Sequence, residues 1–263
     1  MLQKVSPGSS SVSSLYRMHE LCKSGHAQIV LERYDEARVH FIEALGLRQE
    51  VYEPATIEYA LRSLGSTYMF TERYQEGIRF FSEHIARYHE DAGAYRERAG
   101  LFWYSGEIEK AVADYSTALK VNAKDFMSLS GRGQVLAELG RHKEALENLD
   151  LALRELEGVV AQNSSWSDWY RQIEAFVHNG RALALSGLQR TADAAAEFER
   201  SININSENAW VYHNRGTIRE KMGELDLAIS DYQLALQKKQ PALSSFRTNQ
   251  VKIRLNELLQ RPR

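Results

Sequence analysis

His19, Cys22 and His26 stand at i, i+3 and i+7, so on a helix all three project from one face. Imidazole and thiolate in such a set would suit zinc or a similar metal. A single straight helix over two turns converges three ligands on one ion poorly, so the spacing reads as surface lining and no metal is expected. Cys22 is the only cysteine, which excludes an internal disulfide and a cysteine-only cage and fits a reducing, cytoplasmic setting. The stretch GRGQVL, residues 131 to 136, offers Gly131 and Gly133 to a nucleotide phosphate. A dinucleotide loop needs a third glycine and a preceding strand, whereas this segment lies inside a helical period, where glycines serve close packing. His40, His84, His89, His142, His178 and His213 scatter along the chain with no nucleophile or carboxylate that the sequence places beside them. No catalytic residue, no cofactor and no small-molecule substrate is expected, so the chain reads as a non-enzyme.

The elements that carry these residues follow from composition and period. The 263 residues are 43% hydrophobic and 26% charged, too apolar for disorder. Lys and Arg total 33 against 35 for Asp and Glu, so no bulk positive field draws nucleic acid or an anionic membrane, and neither is expected as a partner. No run of 18 apolar residues suggests a membrane span, and MLQKVSPGSSSVSSLY lacks the apolar core of a signal peptide. Residues 1–14 are expected to be a flexible Ser-rich tail, and 15–263 a single helical-repeat array.

The array is visible in a recurring frame. GEIEKAVADYSTAL at 106 to 119 and GELDLAISDYQLAL at 223 to 236 match at Gly, Glu, Ala, Asp, Tyr, Ala and Leu. Further copies lie at 140 to 153, 32 to 45 and 72 to 85, and a looser one, with two extra residues after its glycine, at 187 to 202. Their anchors, Ala37, Gly77, Ala111, Ala145, Ala194 and Ala228, are separated by 40, 34, 34, 49 and 34 residues. Twelve residues before each anchor stands another small residue, Gly25, Gly65, Ala99, Gly133 and Gly216, with Gly180 fourteen before in the looser copy. In each second half the apolar positions fall at i, i+1, i+4, i+7 and i+8, as in Ala111, Val112, Tyr115, Ala118 and Leu119, one stripe of an α-helix. Gly106, Gly140, Gly187 and Gly223 between the halves are expected to adopt positive φ at helix ends. The unit is therefore helix, tight turn, helix, and since one hairpin cannot bury its own stripe the units must stack.

This pattern resembles the tetratricopeptide repeat family, marked by a small residue midway along the first helix and by A-x3-F/Y-x2-A-L in the second. The resemblance covers nearly all of residues 18 to 242. It implies an all-α solenoid of about six hairpins and a scaffold that takes a protein or peptide partner in a groove lined by first helices. Carried onto this chain, the groove is expected to include Arg62, Met69, Arg96, Trp103, Met127, Arg181, Trp210 and His213. Arg62, Arg96 and Trp103 are expected to form one basic and aromatic patch for a carboxylate beside an apolar anchor. The Lys and Asn set with which one subgroup grips chaperone tails is missing at these positions. A regulatory or targeting domain of a larger catalytic assembly, and a receptor for a short signalling peptide, are the alternatives.

Two segments depart from the simple period. In the long interval, Asn163, Ser164 and Ser165 read as a break, with a helix starting near Trp166 and Trp166, Trp169 and Tyr170 on one face, packed on the neighbouring hairpin or offered to a partner. Pro54 suits the first turn of a helix, and Pro241 is the one proline placed where repeats of this family often close. At the C-terminus Val251, Leu255, Leu258 and Leu259 form the stripe of an expected capping helix, with Ile253 as an apolar exception on its outer face.

Overall fold

In the computed structural model, the described residues are 9–163, 168–238 and 244–260; Ser164, Ser165, Trp166, Pro241 and residues 1–8 lie outside them. They are helical throughout, with no strand among them, and divide into two compact units, Met1–Val121 and Asn122–Arg263. The first unit holds α1 (Ser9–Val30), α2 (Tyr34–Gly46), a short 3-10 turn (Leu47–Gln49), α3 (Pro54–Phe70), α4 (Tyr74–Arg87), α5 (Ala92–Tyr104) and α6 (Ile108–Val121). The second holds α7 (Phe126–Glu138), α8 (His142–Asn163), α9 (Asp168–Gly187), α10 (Thr191–Ile204), α11 (Ala209–Lys221), α12 (Leu225–Gln237) and α13 (Ser245–Leu259). Helix α1 thus begins inside the segment expected as a tail.

Successive pairs form six hairpins, and in each unit the first helices also pack on one another: α1 on α3 on α5, and α7 on α9 on α11. The six turns share one geometry. Glu32, Glu72, Gly106, Gly140, Gln189 and Gly223 have φ of 57°, 54°, 87°, 78°, 61° and 80°. The following N–H groups, of Arg33, Arg73, Glu107, Arg141, Arg190 and Glu224, donate to the carbonyls of Gln28, Tyr68, Phe102, Leu136, Leu185 and Arg219 at 2.7 to 3.0 Å. A left-handed residue closing a helix with this backward bond satisfies carbonyls that the helix end would leave unpaired.

The geometry corrects the reading of the fifth hairpin. Gly187 is the last residue of α9, and any side chain there would strike the ring of His142; the left-handed residue is Gln189. The frame therefore runs from Gln189 to Ile202 without an insertion, and the small residue twelve before Ala194 is Ala182, fully buried, rather than Gly180. The extra residues of the long interval go into the lengths of α8 and α9, 22 and 20 residues against 13 in α7 and 14 in α10.

Small residues sit where side chains of the neighbouring helix intrude. A Cβ on Gly133 would stand 2.6 Å from Leu149 Cγ, and one on Gly25 2.7 Å from Phe41 Cζ. Leu149 and Phe41 are fully buried, each contributing about 2 kcal/mol in apolar transfer. First helices start on side-chain caps, with Glu53, Asp91, Asp125 and Asn208 accepting from the N–H groups of Thr56, Ala94, Met127 and Trp210, and Pro54 occupies the first turn of α3 as its sequence suggests.

Between the long α8 and α9 a small core of Phe126, Leu156 and Val160 takes in Trp169 and Tyr170, whose rings lie 6.0 and 6.4 Å from that of Phe126. Of the aromatic trio in the long interval, these two pack on the neighbouring hairpin. Helix α13 closes the last hairpin with Val251, Leu255 and Leu258 against Ala228 and Tyr232. Leu259 and Ile253, by contrast, are 57% and 61% exposed.

Candidate functional site

The residues expected to line a groove lie on the rows of first helices, and each row is described within its own unit. In the first unit Arg62 and Met69 are half-buried on α3, while Arg96 and Trp103 on α5 are buried. The guanidinium of Arg96 pairs with Glu58 of α3 and, at 3.0 Å, with Glu97 beside it. Glu97 presses its carboxylate onto Gly65, where an added Cβ would stand 3.1 Å from Glu97 Cδ. Burial pushes the Glu97 carboxyl up to about 7, against the pull of the Arg96 guanidinium. Glu58 is the open member, with 39% of its side chain exposed. Arg62 lies 5.8 Å from the Tyr59 ring centre, and its charge reaches Glu97. The charge of the two arginines is thus compensated: two guanidinium groups face two carboxyls. Trp103 is 6% exposed, so its substitution reports on folding before binding.

In the second unit the register of the fifth hairpin decides the outcome. Counted from Ala182, Arg181 occupies the position that Arg98 and Arg215 hold in their own hairpins. Those two make bidentate pairs with acids sixteen residues on, Arg98 with Asp114 at 2.6 and 2.9 Å and Arg215 with Asp231 at 3.0 and 2.8 Å. Arg181 likewise donates to Glu197 at 3.2 Å and pairs with Asp150 of α8. It is a strut between the helices of a hairpin and its neighbour, which corrects its assignment to the groove. Burial would raise Glu197, but His178, at 2.6 Å, and Arg181 hold its carboxyl below the usual range. The signal that could have revealed these struts was in the sequence, an Arg before the small residue and an acid sixteen residues later.

Asn179, fully buried, stands three before Ala182, as Arg62, Arg96 and His213 stand three before Gly65, Ala99 and Gly216, and its Oδ1 accepts from Asn214 Nδ2 at 3.2 Å. Met127 is half-buried against the Phe126 core. Trp210 is 4% exposed, its ring 6.4 Å from that of His213. Burial drives the His213 imidazole down to about 4, outweighing its bond to Asn214, with the charge of Arg247 adding to the fall. The guanidinium of Arg247, from α13, lies 5.4 Å from the Trp210 ring centre and donates to Glu138 of α7 at 2.8 Å. No period in the sequence announces that contact.

For the metal candidates, His19 Nε2 is 2.9 Å from Thr56 Oγ1, Cys22 is 5% exposed and burial pushes its thiol up to about 11, and His26 faces the Tyr59 ring. Among the described residues no group of three His, Cys, Asp or Glu side chains is placed to hold a metal, and no helix is long and apolar enough to cross a membrane.

Family models described as tetratricopeptide repeat match residues 96–160 and 211–237. No curated protein matches the chain. Among solved structures, a tetratricopeptide repeat protein from Parabacteroides merdae ATCC 43184 is similar at 18% identity with a TM-score of 0.51, over 93% of this chain and 100% of that one. A chain of the APC/C hetero-tetramer Cut9-Hcn1 is similar at 14% identity with a TM-score of 0.67, over 96% of this chain and 45% of that one. At these identities the likeness is one of fold. The matched segments, the shared turn geometry and the stacked hairpins agree: residues 96–160 and 211–237 match tetratricopeptide repeats, and the chain has the fold of a tetratricopeptide repeat solenoid.

Proposed function

We infer that the protein is a non-enzymatic interaction scaffold that holds a peptide segment of a partner against a row of first helices. The observation that carries this is the cluster of Glu58, Arg96 and Glu97 joining α3 to α5. Buried ion pairs stabilise a fold little better than apolar residues of the same volume. Unlike the Arg98–Asp114 and Arg215–Asp231 struts, which lie inside one hairpin, this cluster joins the first helices of two hairpins, on the row where a charged segment would lie. A partner carboxylate would take the place of Glu58 on Arg96. Tetratricopeptide repeats are generally interaction modules, which supports the same reading; a cytoplasmic setting belongs to the proposal with it.

The test is a photo-crosslinker placed at position 62 in the full chain, used in extract of the native source and followed by peptide mapping. One partner segment rich in acidic and apolar residues should attach to α3 or α5. Attachment through α4 or α6 alone, or none at all, would remove the first-helix row of this unit as the binding face.

A further inference from the structure

In the second unit one side chain spans what should be open. Helix α7 packs on α9 and α9 on α11, so Glu138 and Trp210 stand on helices separated by a third. Arg247 nevertheless touches both, 2.8 Å from Glu138 Oε2 and 5.4 Å from the centre of the Trp210 ring, with His213 beside it. Side chains of α7 and α11 are thus joined across the row by a guanidinium from α13. Other contacts hold that helix as well. Val251 and Leu258 are buried against α12, and Arg254 pairs with Glu220 at the other end. Arg247 lies in its first turn, where its N–H bonds the Ser244 cap at 3.3 Å.

An aromatic face and a carboxylate set at right reach make a receptor for a planar cation: the ring takes the guanidinium flat and the carboxylate takes its edge. Trp210 is, with Trp103, one of the two tryptophans expected in the groove, and Glu138 is 16% exposed in its side chain, shielded enough for the pair to matter. We propose that Trp210 and Glu138 form an arginine-recognition site for a partner segment, and that Arg247 occupies it in cis, so that the partner's arginine must displace it. The site opens by rotation of one side chain, with α13 still in place. The proposal rests on the reading of first-helix rows as binding faces.

The experiment uses the full chain and two blocked pentapeptides, one with a central arginine among alanines and one with citrulline in its place. The indole N–H signal of Trp210, assigned with Trp210→Phe, is followed by NMR. In Arg247→Ala the arginine peptide should shift that signal with affinity on the order of tenfold above the parent, because the competing occupant is gone. The citrulline peptide should not shift it, and the double variant Arg247→Ala with Glu138→Gln should lose the response. A folded Arg247→Ala protein that binds no better than the parent, or binds both peptides alike, overturns the proposal. If Arg247→Ala loses its native helix content, Arg247→Lys is measured instead, and should respond between parent and alanine variant. Failure of both to fold would make Arg247 a structural brace and also overturn it. A silent Trp210 signal together with crosslinking from position 62 sinks this site alone; a responding Trp210 signal without that crosslink leaves the second unit as the binding face.

Discussion

At Gly133 the room for a side chain is already taken by Leu149 and by the carbonyl of Ala145, 2.6 and 3.2 Å from where a Cβ would stand. Gly133→Leu should therefore cost about 1 to 3 kcal/mol through overpacking. Gly46→Ala, in a helix with nothing within 4 Å, should be neutral or stabilise by about 0.5 kcal/mol. Urea midpoints of the two variants check both, and equal effects would show that spacing alone did not identify the seam. Glu97 supplies a pH signature. Its carboxyl is raised to about 7, so between the ordinary carboxyl range and 7 the unfolded chain binds fewer protons, and stability falls as pH rises through that window. His213, lowered to about 4, acts the other way: neutral when folded, it adds stability as pH rises from 4 to its ordinary value of 6.5. The two overlap, so the informative quantity is a difference. Relative to the parent, Glu97→Gln should gain on the order of 3 kcal/mol between pH 4.5 and 8, measured by denaturant titration, and a constant difference would show Glu97 ionised throughout. The small residues were legible from their spacing. The compensation of Arg96 was not, because Glu58 lies 38 residues away on another hairpin and no periodic signal ties the two together.

At the scale of elements, the hairpin turn is the most repeated feature. Three turns place glycine at the left-handed position, and three place Glu32, Glu72 and Gln189 there. A side chain with positive φ costs about 1 kcal/mol that glycine does not. Gln189→Gly should raise the thermal midpoint, and Gly223→Ala, at φ of 80°, should lower it by a similar energy of about 1 kcal/mol. Opposite signs are the expected outcome; a fall in both would mean that the Gln189 side chain makes contacts outweighing its strain. Three glycine turns were readable because glycine announces the backbone it permits. The fifth was misplaced by two residues because Gly187 mimicked the signal while serving a different need, close approach to His142. That slip carried Arg181 into the groove, and only the backbone conformation at Gln189 restores the register. The capping helix was legible from its stripe, but the reach of Arg247 to Glu138, 109 residues earlier, is a long-range contact that no local pattern encodes.

At the scale of the whole molecule, the fold class followed from one period, since a stripe that a lone hairpin cannot bury demands neighbours. Partner chemistry did not, because it resides in side chains that the period leaves unconstrained. The long interval shows how the repeating plan absorbs extra chain: every turn keeps its distance from its anchor, and the surplus lengthens the two helices, α8 and α9, away from their turns. The consequence is mechanical. Pulled from its ends, such a chain should release its hairpins one at a time, each lengthening the tether by about 120 Å for 34 residues at roughly 3.5 Å apiece. The 40 residues from Ala37 to Gly77 would yield about 140 Å and the 49 from Ala145 to Ala194 about 170 Å, the longest stride, readable in an optical trap as the place where this protein departs furthest from its own rhythm.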